Sequence, residues 1–149
     1  MRHRMLVLTI AVCLIGSVTH AQGRRSRGPQ GPPDIVGKWT GTWTSLNPAR
    51  PTDQPRELCK KLDADIVRNG ETWVATFEGD CGRPYKYKIT MEGRHVSGVV
   101  MFKGTVDLGA QDGGVFDWVG RAAANQFIGF YTSAYSTGYF NLSRVPAGK

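Results

Sequence analysis

Few residues in this chain could do chemistry. Of the three histidines, His3 and His20 fall in an N-terminal leader, which leaves His95. His95 shares the alternation of Ser97 and Lys103, predicted to face outward, and one exposed imidazole without cysteine ligands cannot build a zinc site. A haem barrel would need that ligand to point inward. There is no G-x-S-x-G elbow, and Ser97 is only two residues from His95, so a nucleophilic triad has no basis. No phosphate-cradling glycine loop is present. Asp107, Gln111 and Asp112 flank or occupy the glycine-rich stretch 109–114 and carry oxygen ligands, but their spacing misses the calcium-loop pattern and reads as a turn. No metal, cofactor or catalytic residue is implied, and the expectation is a protein that is not an enzyme.

Two cysteines, Cys59 and Cys81, remain once Cys13 is assigned to the leader. They are not in C-x-x-C spacing, so a reactive thiol pair is disfavoured. In an exported chain an even pair is normally oxidised. Closing that loop would stabilise the fold by about 3 kcal/mol.

The remaining signal is aromatic. Trp39, Trp43, Trp73, Tyr85, Tyr87, Phe102, Phe116, Trp118 and Phe140 all fall on the apolar parity of predicted strands. Two roles fit them. They can fill an interior, or they can line a cavity in which the tyrosine hydroxyls offer polar contacts. Under the second role the candidate ligand-binding residues are Trp43, Trp73, Tyr85, Tyr87, Phe102 and Trp118, with Trp43, Tyr85 and the 45–55 loop at the rim.

The elements that must carry these residues follow from period-two alternation. Ile35, Gly37, Trp39, Gly41 and Trp43 alternate with Lys38, Thr40, Thr42 and Thr44. Leu62, Ala64 and Ile66 oppose Lys61, Asp63 and Asp65, and Asn69-Gly70 then marks a tight hairpin. Trp73, Ala75 and Phe77 follow, then Tyr85, Tyr87, Ile89 and Met91, with a turn expected at Glu92-Gly93. Val96, Val100, Phe102 and Val106 are read as one face of the next strand. Segments around Phe116–Gly120, 125–132 and 137–145 complete about eight strands, and no helical period appears.

Short connections suit antiparallel neighbours. A sheet with one apolar face must pack on something or close on itself. The fold class expected is all-β, an antiparallel up-and-down barrel of about eight strands over residues 34–146.

Ahead of the barrel, Arg2, His3 and Arg4 precede an apolar run from Met5 to Val18, and small residues at Thr19 and Ala21 suit cleavage. Residues 1–21 read as a signal peptide, which places the protein outside the cytoplasm, periplasmic or extracellular. The run is too short to span a bilayer, so no transmembrane segment is expected after cleavage. Residues 22–33, QGRRSRGPQGPP, contain no apolar side chain and read as a flexible basic tail. The leader takes Arg2 and Arg4 from the net charge of +7, and Arg24, Arg25 and Arg27 hold three of the remainder. The folded part is then close to neutral, which argues against a specific nucleic-acid groove.

Gly37-Lys38-Trp39 opens the first strand, and Arg144 ends the last on the parity of Phe140 and Leu142. This arrangement resembles the calycin group: lipocalins, fatty-acid-binding proteins and avidins. The resemblance implies that Gly37 and Trp39 sit at the closed end of a barrel, with Arg144 covering the Trp39 indole. The Cys59–Cys81 pair with Trp73 between them is also similar to small periplasmic barrel inhibitors of bacterial metalloproteases. The partners implied are a small hydrophobic or aromatic ligand, or a protein held by the open-end loops. The alternatives are a structural or protease-inhibitor-like domain with a filled interior and, less favoured for want of convergent titratable groups, an enzyme using the barrel mouth.

Overall fold

The computed structural model describes residues 31–46, 56–82, 84 and 86–146, with the side chains of 56–60 left out. The segment expected to be a signal peptide and most of the expected basic tail lie outside these residues, as do Tyr85 and residues 47–55. Eight strands run β1 Gly37–Leu46, β2 Arg56–Asn69, β3 Thr72–Asp80, β4 Tyr87–Val96, β5 Val99–Asp107, β6 Val115–Ala123, β7 Gln126–Ser133 and β8 Thr137–Arg144. Each pairs antiparallel with its sequence neighbours, and β1 also pairs with β8. The sheet is therefore a closed up-and-down barrel. Closure leaves no unpaired edge.

The alternation read from the sequence sets which side chains enter the lumen. Trp39, Trp43, Leu62, Ile66, Trp73, Phe77, Ile89, Met91, Phe102, Phe116, Trp118, Phe127, Tyr131, Phe140 and Leu142 are all buried there. β1 departs from simple pairing between Gly41 and Thr44, where its register against β2 shifts twice. Such bulges increase local twist, which a small closed barrel needs.

Three local expectations are corrected. The β4–β5 turn is at Ser97-Gly98, not at Glu92-Gly93. Ser97 and Gly98 both have positive φ, 48° and 81°, as a two-residue hairpin of this hand requires. Gly93 lies inside the barrel because a Cβ there would come within 2.6 Å of the Phe102 ring. β4 therefore continues without a break, His95 falls on the inner parity of Ile89 and Met91, and Val96 is exposed. His95 Nε2 accepts a bond from Gly98 N at 3.1 Å, a structural role in the turn. At β2–β3 the corner residues are Gly70-Glu71, flanked by the Asn69–Thr72 pair, and glycine supplies the positive φ of 61° at the first corner.

The closed end is sealed by the segment before β1. Ile35 is fully buried and plugs the lumen. Trp39 Nε1 donates to Ile35 O at 3.0 Å. Arg144, whose backbone is in register with Trp39, donates from Nη1 to Asp34 O at 3.0 Å and from Nη2 to Val36 O at 2.6 Å. Its Nη2 also meets Asp34 Oδ2 at 3.1 Å. The arginine thus closes this end, but by a different contact from the expected one. Its guanidinium holds the backbone of the plug rather than the Trp39 face. Among the described residues the guanidinium–indole contact is Arg68 over Trp73, at 5.2 Å.

Arg144→Lys keeps the charge and loses the fork that reaches two carbonyls and a carboxylate together. It should lower stability by about 1–2 kcal/mol in urea unfolding. A change within about 0.5 kcal/mol, the size of an ordinary surface exchange, would show that the plug is not held this way.

Candidate functional site

The lower half of the lumen is filled. Phe127 packs on Trp39, Phe77, Phe102 and Phe140 with ring centroids 4.9–6.2 Å apart. A layer above, Trp118 stacks on Tyr131 at 4.8 Å, and Trp43 meets both edge-on at 5.0 and 5.5 Å. Of this second layer, Trp43 lines an open cup.

The cup, about 530 Å³, lies at the end opposite Ile35. Trp43, Tyr87, Leu108 and Phe116 form its apolar walls, and Gln111, Asp112 and Ser136 supply polar groups. Cys81 and Gly82 complete the lining. A short 3₁₀ turn, Ala110–Asp112, closes one side between Gly109 and Gly113, both at positive φ. Asp107 Oδ1 accepts from Gly109 N at 2.8 Å and shapes the start of this loop. Tyr87 donates its hydroxyl to Asp112 Oδ1 at 2.6 Å, which ties β4 to the loop across the mouth. On the other side Ser45 Oγ and Ser136 Oγ are 3.2 Å apart.

The second layer contains two buried donors without acceptors. Trp43 is 1% exposed and Trp118 is 2% exposed, and neither indole N–H has a hydrogen-bond partner. The Tyr131 hydroxyl borders Trp43 but donates to Thr44 O at 3.1 Å, and it offers the indole no bond of acceptable geometry. A buried donor left unpaired costs about 1–3 kcal/mol. Native interiors leave few such groups, and those that persist call for a specific explanation.

Of the six candidate ligand residues, Trp43 and Tyr87 line the cup, and Trp118 packs against Trp43 without lining it. Trp73 lies at the closed end beneath Arg68, and Phe102 belongs to the packed layer around Phe127. Tyr85 is outside the described residues. Leu108, Gln111, Asp112, Phe116 and Ser136 were not singled out as a group. Phe116 had the right parity, and the 109–114 loop was visible only as a turn.

Among the described residues no group of three histidine, cysteine or acidic side chains could hold a metal. No described helix is long and apolar enough to cross a membrane. The backbone brings the cysteines to one end of the β2–β3 ribbon. Lys61 pairs with Asp80, so Cys59 lies two residues past that pair on β2 and Cys81 one past it on β3. The side chain of Cys59 is outside the described residues.

The class of protein defined by these features is an eight-stranded up-and-down barrel with a packed closed half and a cup at its open end. No protein-family model matches the chain, and no curated protein matches it in sequence.

Burial raises the Tyr131 pKa above the usual phenol value. The unfolded chain therefore gives up this proton first. Stability from the group is fully present below about pH 10 and is lost as pH rises through the folded value. Tyr131→Phe should flatten this part of the alkaline decline. Urea unfolding of both proteins on either side of pH 10 checks it, and parallel declines would discount the buried phenol.

Proposed function

We propose that the protein is an exported, non-enzymatic, calycin-like barrel that binds a small aromatic or apolar molecule in the open-end cup. The observation that carries this reading is the Trp43 indole N–H, buried on the cup wall without an acceptor. A flat molecule seated between Trp43 and Phe116 would gain ring contacts. If it also carried a carbonyl or similar acceptor, it would satisfy that donor. Pockets of a few hundred Å³ with apolar walls and a few placed polar groups are the usual form of small-molecule sites.

A second reading is favoured by the packed lower half: a structural or inhibitor-like domain whose loops meet a protein. The two separate on whether a small molecule is bound. Native mass spectrometry of the protein purified from its export compartment would reveal a retained ligand as added mass. An acyl-naphthylamine dye, aromatic and carrying a carbonyl acceptor, provides the direct assay. It should bind with quenched tryptophan emission, and Trp43→Phe should weaken binding about tenfold, the equivalent of one hydrogen bond. No retained mass together with no dye binding would favour the inhibitor-like reading.

The same proposal includes cleavage after Ala21 and a Cys59–Cys81 disulfide. What supports the disulfide is the β2–β3 register at the cup rim. Cys81→Ser should lower stability by about 2–4 kcal/mol in protein recovered from an oxidising compartment. Two free thiols in that material would remove the bridge from the account.

A further inference from the structure

The outside of the barrel has two kinds of wall. On the β1–β4 side three exposed ion pairs form, Lys38 with Asp65, Lys61 with Asp63 and Lys86, just ahead of β4, with Glu78, and Val67 of β2 is the large apolar side chain exposed among them. Such a wall is adapted to water. On β6–β8 a row of apolar side chains crosses three neighbouring strands. Val119 is in register with Phe130, and Phe130 with Tyr139. Phe130 is 62% exposed, Val119 52% and Tyr139 37%. With strands about 4.8 Å apart the row spans about 10 Å.

Charge is placed symmetrically about this row. On β6, Asp117 lies two residues to one side of Val119 and Arg121 two residues to the other. Both are exposed, and neither joins an ion pair among the described residues. The polar contact given to Asp117 is from Thr105 Oγ1, at 2.7 Å. Each charge stands about 7 Å along the strand from the row.

We propose that this wall binds a second copy of the chain, through a twofold axis lying along the Val119–Phe130–Tyr139 row. That operation turns the partner end for end. Each residue of the row meets its own counterpart, and each Asp117 faces the other copy's Arg121. An isologous contact requires such self-complementarity, and one strand carrying opposite charges equidistant from an apolar centre meets the requirement. Lys103 of β5 continues the same register line, where it would face itself. The contact is therefore centred on β6–β8. Two convex walls bury little area, so the dimer is a weak one.

Sedimentation equilibrium of the purified protein, from about 1 μM to 1 mM, reads the association directly. The expected result is a reversible monomer–dimer equilibrium that Phe130→Ser weakens about tenfold or more. Arg121→Glu sets two carboxylates against each other and should weaken it similarly, as should Asp117→Arg. The double exchange D117R/R121E restores the opposite-charge facing and should return the affinity to within about threefold of the parent. Thermal unfolding of each variant, unchanged from the parent, separates loss of the contact from loss of the fold.

A monomer at every concentration would overturn the proposal, as would a dimer indifferent to Phe130→Ser, or a double exchange that fails to restore association. Monomeric protein whose binding to anionic phospholipid vesicles depends on Phe130 would overturn it too, by assigning the wall to a lipid surface.

Discussion

The interior rests on one steric constraint: large rings enter the lumen where the neighbouring strand lacks a side chain. Gly93 faces Phe102, Gly129 faces Phe140 and Gly138 faces Tyr131, each as a direct cross-strand pair. Gly120 makes the same room for Phe127. A Cβ at any of these positions would collide with the ring beside it. Eight strands enclose a lumen only wide enough for side chains. The glycines therefore let the rings lie over the sheet and meet edge-on at the axis. Glycine in a strand sacrifices packing and conformational entropy, and here the ring across the ladder covers the exposed backbone.

That constraint divides the barrel along its axis. Phe77, Phe102, Phe127 and Phe140 satisfy one another completely because they carry no polar atom. The Trp43, Trp118 and Tyr131 layer has the same shape chemistry but brings three polar hydrogens. Only the Tyr131 hydrogen finds an acceptor. The packed half is plugged by Ile35 and held by Arg144. The upper layer retains unmet hydrogen-bonding capacity where the lumen opens. Rigidity below and unsatisfied donors above is an arrangement suited to recognition, since the site can be held in shape without contributing its own hydrogen bonds to the fold.

Strand alternation was legible in the sequence because a half-wet sheet imposes it residue by residue. Ile89 and Met91 against Lys88 and Thr90 needed no structure to read. Closure followed from the one-sided apolar faces. Glycine was the ambiguous letter. Gly93 looks the same whether it bends the chain or clears space for Phe102, and that ambiguity moved a turn and reversed the facing of His95. The partners of Arg144 were hidden for a related reason. Parity says that a charge points inward, but the carbonyls of Asp34 and Val36 are backbone groups with no signature in residue identity. The depth of the cup was likewise unreadable, because parity places Phe102 and Trp118 on the same inner face without saying which layer is filled.

The outer surface follows a different logic from the interior. Exposed ion pairs such as Lys38–Asp65 contribute little to stability, because water screens them. Their consequence is on association: a wall of alternating, locally neutralised charge is costly to desolvate and so discourages contact. The β6–β8 wall has no such protection at its centre. A closed barrel has no edge through which to aggregate, so contact with another copy falls to its walls and its loops. In this chain the β1–β4 side carries three exposed ion pairs, while the β6–β8 wall sets an exposed apolar row between the charges of Asp117 and Arg121. Folding does not require that asymmetry, because either residue type suits a solvent-facing strand position. A requirement beyond folding therefore accounts best for Phe130, in the middle strand of the row, remaining a phenyl ring in water.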